Sequence, residues 1–235
     1  MDVFADKVKE ICDIYFSASD TETEGVHVYS TDEKMGIHAR EHKNPSIRMK
    51  EGCPEKIDPE YIRHGTSGII ASRDVATGEI VAPMVQPTRT EDDFAEHIKK
   101  VVNRNPDEKN IFVIDNLNTH KSEALVRLVA ESEGIPSSEL GIKEKRGILK
   151  SMASREAFLS NDSHKIQFIY TPKHCSWLNQ IECWFGIITR RLLNKRASFV
   201  SVADLEQKIW NFIDYYNRYL MKPFLWNFKG KFLKI

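Results

Sequence analysis

The sequence predicts an α/β fold in which a mixed β-sheet is covered by helices. Two apolar runs, residues 111–114 and 166–170, have the composition of strands buried inside a sheet. Each is followed by a segment with the periodicity of an amphipathic helix, whereas the strand-like segments of the first 85 residues follow one another directly. Consecutive strands followed by alternating strands and helices are typical of a mixed sheet flanked by helices.

The beginning of the chain predicts one helix, one strand and a long loop. Residues 5–16 have helical periodicity, and the polar residues that follow them form a linker up to residue 24. A short β-rich segment, 25–30, ends just before Asp32. Residues 36–66 contain Gly, Pro and many charges without periodicity, and a loop of that length is usually functional or disordered. We therefore separate an N-terminal helix and linker, 1–24, from one α/β domain that comprises the remaining residues up to 235.

The middle of the chain has clearer signals. Residues 68–72 and 78–85 predict two strands joined by a turn. Thr90 opens a capping box in front of an amphipathic helix that Asn105-Pro106 ends. The apolar strand at 111–114 follows, and then a helix over 122–133 that is stopped by Gly and Pro.

The last third of the chain predicts an insertion and two helices. Residues 135–163 are polar and poorly periodic, with one short helix over 152–159. After the strand at 166–170, Ser176 is expected to cap a helix that carries Glu182, and Ser201 is expected to cap the last helix. The apolar stripe of the Glu182 helix is predicted to consist of Trp177, Ile181, Trp184, Phe185, Ile188 and Leu192.

The composition of the 235-residue chain is ordinary for a globular protein, with 41% hydrophobic and 29% charged residues. The longest apolar runs are five or six residues, too short for a membrane span, and the first residues do not resemble a signal peptide. Four cysteines without a CxxC pair predict reduced thiols rather than a disulfide framework or a zinc site. We expect a cytoplasmic protein without a membrane partner.

The net charge is zero, but the charges are unevenly distributed. Residues 170–235 contain 11 Lys or Arg and 4 Asp or Glu, a net charge of +7, which leaves −7 on residues 1–169. A basic part beside an acidic part favours a polyanionic partner such as nucleic acid. Chance clustering on solvated faces explains the same distribution equally well.

Three acidic residues lie where a predicted strand ends or the following helix begins. Asp32 and Asp115 follow strands, and Glu182 lies on the helix after the strand at 166–170. Carboxylates gathered in one cleft repel each other and stay ionised only beside a cation. Their hard oxygen ligands suit Mg²⁺ or Mn²⁺, and two such ions about 3.5–4 Å apart catalyse phosphoryl transfer.

Each acid also has a purely structural explanation. An Asp at the end of a strand is more often a turn former or a helix cap than a ligand, so Asp32 alone is ambiguous. Asp115 is less ambiguous, because it follows four apolar residues that are expected to be buried, so it is expected to lie near the interior. Glu182, between Ile181 and Cys183, is poorly placed for a solvated face. The pattern predicts a joint metal site without specifying the reaction.

Three segments that contain these acids add specificity. Residues 28–34, 115–120 and 171–185 resemble the three acidic motifs of the DDE transposases, most closely the bacterial insertion-sequence branch of the mariner-type superfamily. The segment 179–185, Asn-Gln-Ile-Glu-Cys-Trp-Phe, is the most specific part, and the resemblance extends over residues 25–230.

The resemblance implies a ribonuclease H-like fold and a catalytic triad of Asp32, Asp115 and Glu182 that binds two Mg²⁺ or Mn²⁺ ions. It implies hydrolysis of DNA at transposon ends, followed by attack of the freed 3′-hydroxyl on target DNA, in a homodimer located at the nucleoid. No small-molecule substrate is expected. Residues 36–66 occupy the position of the loop with which mariner-type enzymes grip the partner subunit.

Further residues are assigned supporting roles by the same resemblance. Asn118 and His120 match the family's Asp-Asn…His pattern, and Asn179 lies one helical turn before Glu182. All three are expected to orient the metal ligands or the scissile phosphate, although an Asx turn and a helix cap equally explain Asn118 and His120. Phosphate contacts are expected from five cations, each of which has a solvated face as its alternative: Lys173, Arg190, Arg191, Lys195 and Arg196.

Two departures from the family pattern affect the functional prediction. The 66 residues between Asp115 and Glu182 exceed the compact mariner-type spacing, and the insertion at 135–163 accounts for the excess. The helix-turn-helix domains that usually precede the first acid are not in the sequence, so we expect an isolated catalytic domain or a truncated frame. Two alternatives stay open: a stand-alone ribonuclease H-like nuclease, and a non-catalytic remnant that binds DNA or a full-length transposase.

Overall fold

The computed structural model describes residues 3–229, and the outermost ends of the predicted ranges, 1–2 and 230–235, lie outside it. The described residues form one five-stranded sheet and six α-helices. The strands are β1 (Val26–His42), β2 (Tyr61–Asp74), β3 (Ile80–Gln86), β4 (Lys109–Ile114) and β5 (Ile166–Tyr170). The helices are α1 (Val3–Glu22), α2 (Glu91–Val102), α3 (Glu123–Ser132), α4 (Met152–Leu159), α5 (Ile181–Arg191) and α6 (Val202–Tyr219). None of these helices is both long enough and apolar enough to cross a bilayer.

The sheet is mixed, as the sequence predicts. Its strand order is β3-β2-β1-β4-β5, in which β1, β4 and β5 are parallel and β2 and β3 are antiparallel to their neighbours. Parallel neighbours need crossover connections, and these connections contain α2, α3 and α4. The carboxyl ends of β4 and β5 therefore lie on one edge of the sheet, beside the middle of β1.

Helices cover both faces of the sheet. On one face, α2, α3 and α4 pack around Tyr29, Phe112 and Phe168, whose rings follow one another at centroid distances of 5.3 and 5.4 Å. On the other face, α1 packs on Val113, and α5 and α6 pack on Ile69. Apolar residues fill both layers, which explains why β4 is apolar from Ile111 to its end at Ile114.

β1 is much longer than predicted. It continues past Asp32 to His42, because residues 29–42 pair antiparallel with β2, which begins at Tyr61. The prediction that Asp32 ends a strand is therefore wrong, and so is the prediction of a single loop over 36–66. The connection between the two strands spans residues 43–60, and within it Ile47 pairs with Lys56 in an isolated bridge.

The N-terminal helix is also longer than predicted, because the polar residues assigned to a linker continue α1 to Glu22. Ala18 is 2% exposed and packs against the sheet with Val8 and Ile11, so this part of the helix belongs to the core. The hydroxyl of Thr21 donates to the carbonyl of Ser17 inside the helix (3.2 Å). The polar residues of this part of α1 lie on the face of the helix that points away from the core, so their composition resembles that of a linker.

Several local predictions are confirmed. The capping box of Thr90 starts α2, Ser201 caps α6, and β5 and α4 have the predicted bounds. The inserted segment 135–163 contributes Leu140, Leu149 and Leu159 to the core beneath α3 and α4. The insertion therefore stabilises the domain without separating the strands that carry the acids.

Candidate active site

Asp32 and Asp115 lie near each other at the carboxyl end of β4, and the charge of Asp115 acts on Asp32. The parallel register pairs Ser30 with Val113, and two further residues along both chains set Asp32 beside Asp115. Asp115 lies just past the end of β4, where its carboxylate contacts His120, whose ring packs on Phe94 at a centroid distance of 4.2 Å. A parallel pair of strands thus brings together two acidic residues that are 83 positions apart in the sequence.

The carboxylate of Asp32 is held in a nearly closed environment. Its residue is 7% exposed, and its oxygens accept hydrogen bonds from the Asn179 side-chain amide (3.2 Å) and the Glu33 backbone N–H (2.7 Å). Burial, together with the negative charge of Asp115, raises the pKa of Asp32 to about 7. Two adjacent acids of which one resists ionisation form a site that a cation would stabilise.

Asp115 is kept ionised by a buried histidine. Its Oδ1 lies 2.6 Å from His120 Nδ1 and accepts the Leu117 N–H (3.1 Å). Burial opposes ionisation, but the hydrogen bond and charge of His120 outweigh it and lower the pKa of Asp115. Burial would likewise lower the pKa of His120, but Asp115 and Glu33 together raise it to about 10. His120 is therefore a cation at neutral pH, positioned behind Asp115.

Glu33 is a residue that the sequence interpretation missed. Its side chain is 1% exposed, and its Oε2 lies 3.2 Å from His120 Nε2, on the opposite side of the ring from Asp115. Glu33 follows Asp32 directly in β1, so the two acids point to opposite faces of the strand. Strand alternation could have predicted this position. If Asp32 faces one helix layer, Glu33 must face the helix layer on the opposite side of the sheet.

Glu182 lies in the first turn of α5, and β1 fixes the start of that helix. The hydroxyl of Ser30 accepts the Ile181 N–H (2.9 Å) and donates to the Asn179 side-chain oxygen, and the Asn179 amide donates to the Thr31 carbonyl (3.0 Å). These bonds hold the helix beside the strand that carries Asp32. Glu182 itself is exposed, and its carboxylate has no hydrogen-bond or ion-pair partner among residues 3–229.

The prediction that Ser176 caps this helix is wrong. Residues Ser176–Leu178 form a separate 3₁₀ turn, and α5 begins at Ile181 without a side-chain cap from its own N-terminal segment. Leu178 is fully buried under α1, where the Tyr15 hydroxyl donates to its carbonyl (2.9 Å). That carbonyl is therefore not available to a continuous helix. Trp177 consequently leaves the predicted stripe and is 46% exposed, whereas Trp184 is fully buried.

The remaining predicted residues are Asn118 and the five cations expected to contact DNA. Asn118 is exposed and makes no capping hydrogen bond, unlike His120 and Asn179, which contact Asp115 and Asp32. All five predicted DNA-contacting cations are exposed. Arg196 already has a partner, because its guanidinium binds the Glu55 carboxylate of the 43–60 segment (2.6 Å).

Carboxylate oxygens from Asp32 and Asp115 are the hard donors that Mg²⁺ and Mn²⁺ prefer. Across the described residues, however, no three His, Cys, Asp or Glu side chains are grouped closely enough to form a metal site. The site consists of two neighbouring aspartates with the residues that contact them, and Glu182 is exposed in the first turn of α5, the helix that Ser30 and Asn179 hold against β1.

Comparison with known proteins assigns the family. A sequence model described as DDE superfamily endonuclease matches residues 27–206. The chain belongs to the DDE superfamily of endonucleases. The matched region includes Asp32, Asp115 and Glu182. No curated protein matches in a comparison of sequences.

The fold of the DDE endonuclease is supported by its similarity to one solved structure. A pre-cleavage Mos1 transpososome is similar with a TM-score of 0.53 and 12% identity, over 90% of this chain and 57% of that chain. The catalytic domain of Mos1 mariner transposase has a TM-score of 0.35 and 11% identity, over 100% of this chain and 97% of that chain. The chain thus spans little more than half of the transpososome chain. The ribonuclease H-like fold is confirmed.

Proposed function

We propose that this DDE endonuclease is the catalytic domain of a metal-dependent DNA transposase. Its reaction would be hydrolysis of DNA strands at transposon ends, followed by attack of the 3′-hydroxyl on target DNA. The observation that carries the proposal is the pair Asp32 and Asp115. Parallel strands bring the two residues together, and the negative charge of Asp115 raises the pKa of Asp32. Such a pair is unfavourable unless a cation accompanies it.

Asp32, Asp115 and Glu182 would hold two Mg²⁺ or Mn²⁺ ions. When bound, such ions acidify the attacking water or hydroxyl and stabilise the charge on the leaving oxygen. The exposed, unpartnered side chain of Glu182 is free to change rotamer towards the aspartates, whereas α5 itself is fixed to β1 through Ser30. The proposal therefore requires the Glu182 side chain to turn towards the aspartates when the ions bind.

The other residues of the site act as supports. The Asn179 amide orients Asp32, and His120 orients Asp115 while Glu33 holds the far side of its ring. A positive imidazolium behind Asp115 keeps that carboxylate ionised and fixes its rotamer before any ligand arrives. Catalysis then depends on positioning and on the stabilisation of charge in a partly closed site.

The test is nicking of a labelled duplex in Mg²⁺ or Mn²⁺. Asp115→Asn and Glu182→Gln should abolish nicking with the fold intact, and the matched surface variants Asp107→Asn and Glu139→Gln, both at exposed positions, should retain it. Nicking that survives in both site variants would contradict the triad. A 3′-end joining assay separates a transposase from a plain nuclease, because only the transposase forms joined products.

We also propose that the 43–60 segment contacts a second copy of the chain in a homodimer. Most residues of this segment are exposed, among them the apolar residues Ile47 (56%) and Met49 (77%). Replacing residues 46–57 by a short Gly-Ser linker should convert a dimer to a monomer in size-exclusion chromatography with light scattering. An unchanged mass would assign the dimer contact elsewhere.

A further inference from the structure

A cavity of about 510 Å³ lies along the free edge of β1. β4 pairs only with residues 26–30 of β1, so from Thr31 onward that edge of the strand has no strand neighbour. The chain between α5 and α6 runs beside it, because the Phe199 N–H donates to the Arg40 carbonyl (2.7 Å) and the His42 N–H donates to the Ser198 hydroxyl (3.1 Å). The cavity lies between β1, this connection and the base of the 43–60 segment.

The cavity is lined by cations that have no acidic partner. Lys34, Arg40 and Lys195 line it together with the imidazoles of His38 and His42. Within residues 3–229, none of the three cations forms an ion pair with a carboxylate. An uncompensated positive lining favours a polyanionic ligand.

The one acidic residue that lines the cavity, Asp58, accepts hydrogen bonds from its own segment of the chain. Asp58 accepts the backbone and side-chain N–H groups of Asn44 (3.0 and 2.8 Å) through one oxygen, and the Glu60 N–H (3.0 Å) through the other. Its oxygens are engaged in the local turn, and in the part of the chain that the structure describes it forms no ion pair with the cations of the cavity.

The cavity also offers aromatic surface. Tyr61 is 45% exposed, and the Arg40 guanidinium lies 5.1 Å from its ring centroid. Ile37 and Phe199 contribute apolar lining. Cations that follow a phosphate backbone beside an exposed aromatic ring are the combination with which proteins bind single-stranded nucleic acid.

The cavity begins next to the candidate active site. Lys34 lies two residues after Asp32 in β1, about 7 Å along the strand, and its ammonium lies 5.9 Å from the Phe185 ring, one turn after Glu182 in α5. A volume of about 510 Å³ is that of a pocket for small ligands. It admits an unpaired nucleotide but not a base-paired duplex.

We propose that this cavity binds unpaired nucleotides adjoining the scissile phosphate, with Arg40 and Lys195 on phosphates and Tyr61 stacked on a base. The location of the scissile phosphate rests on the proposed function. Binding of the single strand would keep the cleaved end beside Asp32 and would select substrates whose duplex opens at the cut.

The test measures equilibrium binding of the full chain in EDTA, so that it does not depend on cleavage. The probes are a labelled blunt duplex and the same duplex with a four-nucleotide single-stranded extension. We expect the extension to tighten binding about fivefold or more, the effect of one stacked base. Arg40→Gln combined with Lys195→Gln should remove this preference and lower the salt slope for the extended probe by about 1.4.

Tyr61→Ala should also remove the preference, and Tyr61→Phe, which keeps the ring, should restore it. The matched double variant Lys99→Gln and Lys143→Gln removes two exposed cations outside the cavity and should leave the preference intact. Equal weakening of both probes by the cavity variant, or no preference in the wild type, would overturn the proposal. So would a changed oligomeric state with an unchanged preference, because the cavity would then hold a second copy of the chain. Loss of nicking alone bears on the proposed function and not on this inference.

Discussion

At the scale of single residues, the buried Asp32 carboxylate makes the stability of the protein depend on pH. Its pKa of about 7 in the folded state exceeds the ordinary 3.8, so the folded protein binds this proton more tightly than the unfolded chain does. The resulting stabilisation is complete below pH 4 and is lost as the pH rises to 7.

We therefore expect Asp32→Asn to be more stable than the wild type at pH 8 without divalent ions, by about 2–4 kcal/mol, and about equally stable at pH 4. Chemical denaturation at the two pH values measures this. Mg²⁺ should stabilise the wild type at pH 8 but have little effect on the variant. Equal stability at pH 8 would mean that Asp32 ionises without cost.

The Glu33–His120 pair predicts a second effect. Glu33→Gln leaves a buried imidazolium with only one carboxylate, and breaking a buried ion pair costs about 3–5 kcal/mol. Glu41→Gln is the matched control, because its His64 pair has a similar distance (2.7 Å) but is partly exposed, with 33% and 29% of the side chains accessible. That control should cost about 0–1 kcal/mol. Similar losses in both variants, measured by urea denaturation at pH 7, would contradict the structural role of Glu33.

The sequence pointed to the three acids and to two residues that contact them, His120 and Asn179, but not to Glu33. Asp32, Asp115 and Glu182 stand in motifs that are readable locally. Glu33 has a structural role only through its contact with His120, which is 87 positions away in the sequence. The local Asp-Asn…His pattern predicts that His120 acts beside Asp115, whereas the Glu33 contact on the other side of the ring arises from tertiary packing.

At the scale of elements, α5 is the instructive case. The other amphipathic helices, such as α2 and α6, carry their own N-terminal caps and could be predicted from the sequence. α5 is capped by Ser30, 151 positions earlier in the chain. A cap contributed by another element has no signature near the helix it starts, which is why Ser176 was assigned wrongly.

This difference is testable with two serine substitutions. Ser30→Ala and Ser201→Ala each remove one helix cap, and each should cost about 1 kcal/mol of stability. Only Ser30→Ala releases Asn179 from its position beside Asp32, so only this variant should lower the nicking rate, about tenfold or more. Thermal denaturation and single-turnover kinetics measure the two effects. Equal rates in both variants would show that the α5 cap has no role in catalysis.

At the scale of the whole molecule, Arg73 joins distant parts of the chain. It is fully buried in β2 and donates to the Gln180 side-chain oxygen and the Lys222 carbonyl (both 2.8 Å), with its guanidinium 3.7 Å from the Phe224 ring centroid. Burial lowers its pKa. Gly78 lies under the same segment, where an added Cβ would meet the Lys222 carbonyl oxygen at 2.1 Å.

Arg73→Met should therefore release residues 221–229 and destabilise the fold by about 3 kcal/mol, because it leaves buried polar partners unpaired. Limited proteolysis should detect new cleavage in this segment. Arg127→Met, which breaks an exposed ion pair within α3, should cost at most about 0.5 kcal/mol and leave proteolysis unchanged. Protection of the segment in Arg73→Met would show that it is held by its aromatic contacts alone.

β1 has a further consequence for how the molecule responds to its partners. One uninterrupted strand extends from the sheet interior, past Asp32, to the arm formed with β2. Its register shifts between Lys34 and Ile37, where Gly36 has a φ of +70°. Because Asp32 and the arm belong to the same strand, we expect a partner bound at the arm to influence the position of Asp32, with the bulge at Gly36 as the point where β1 bends.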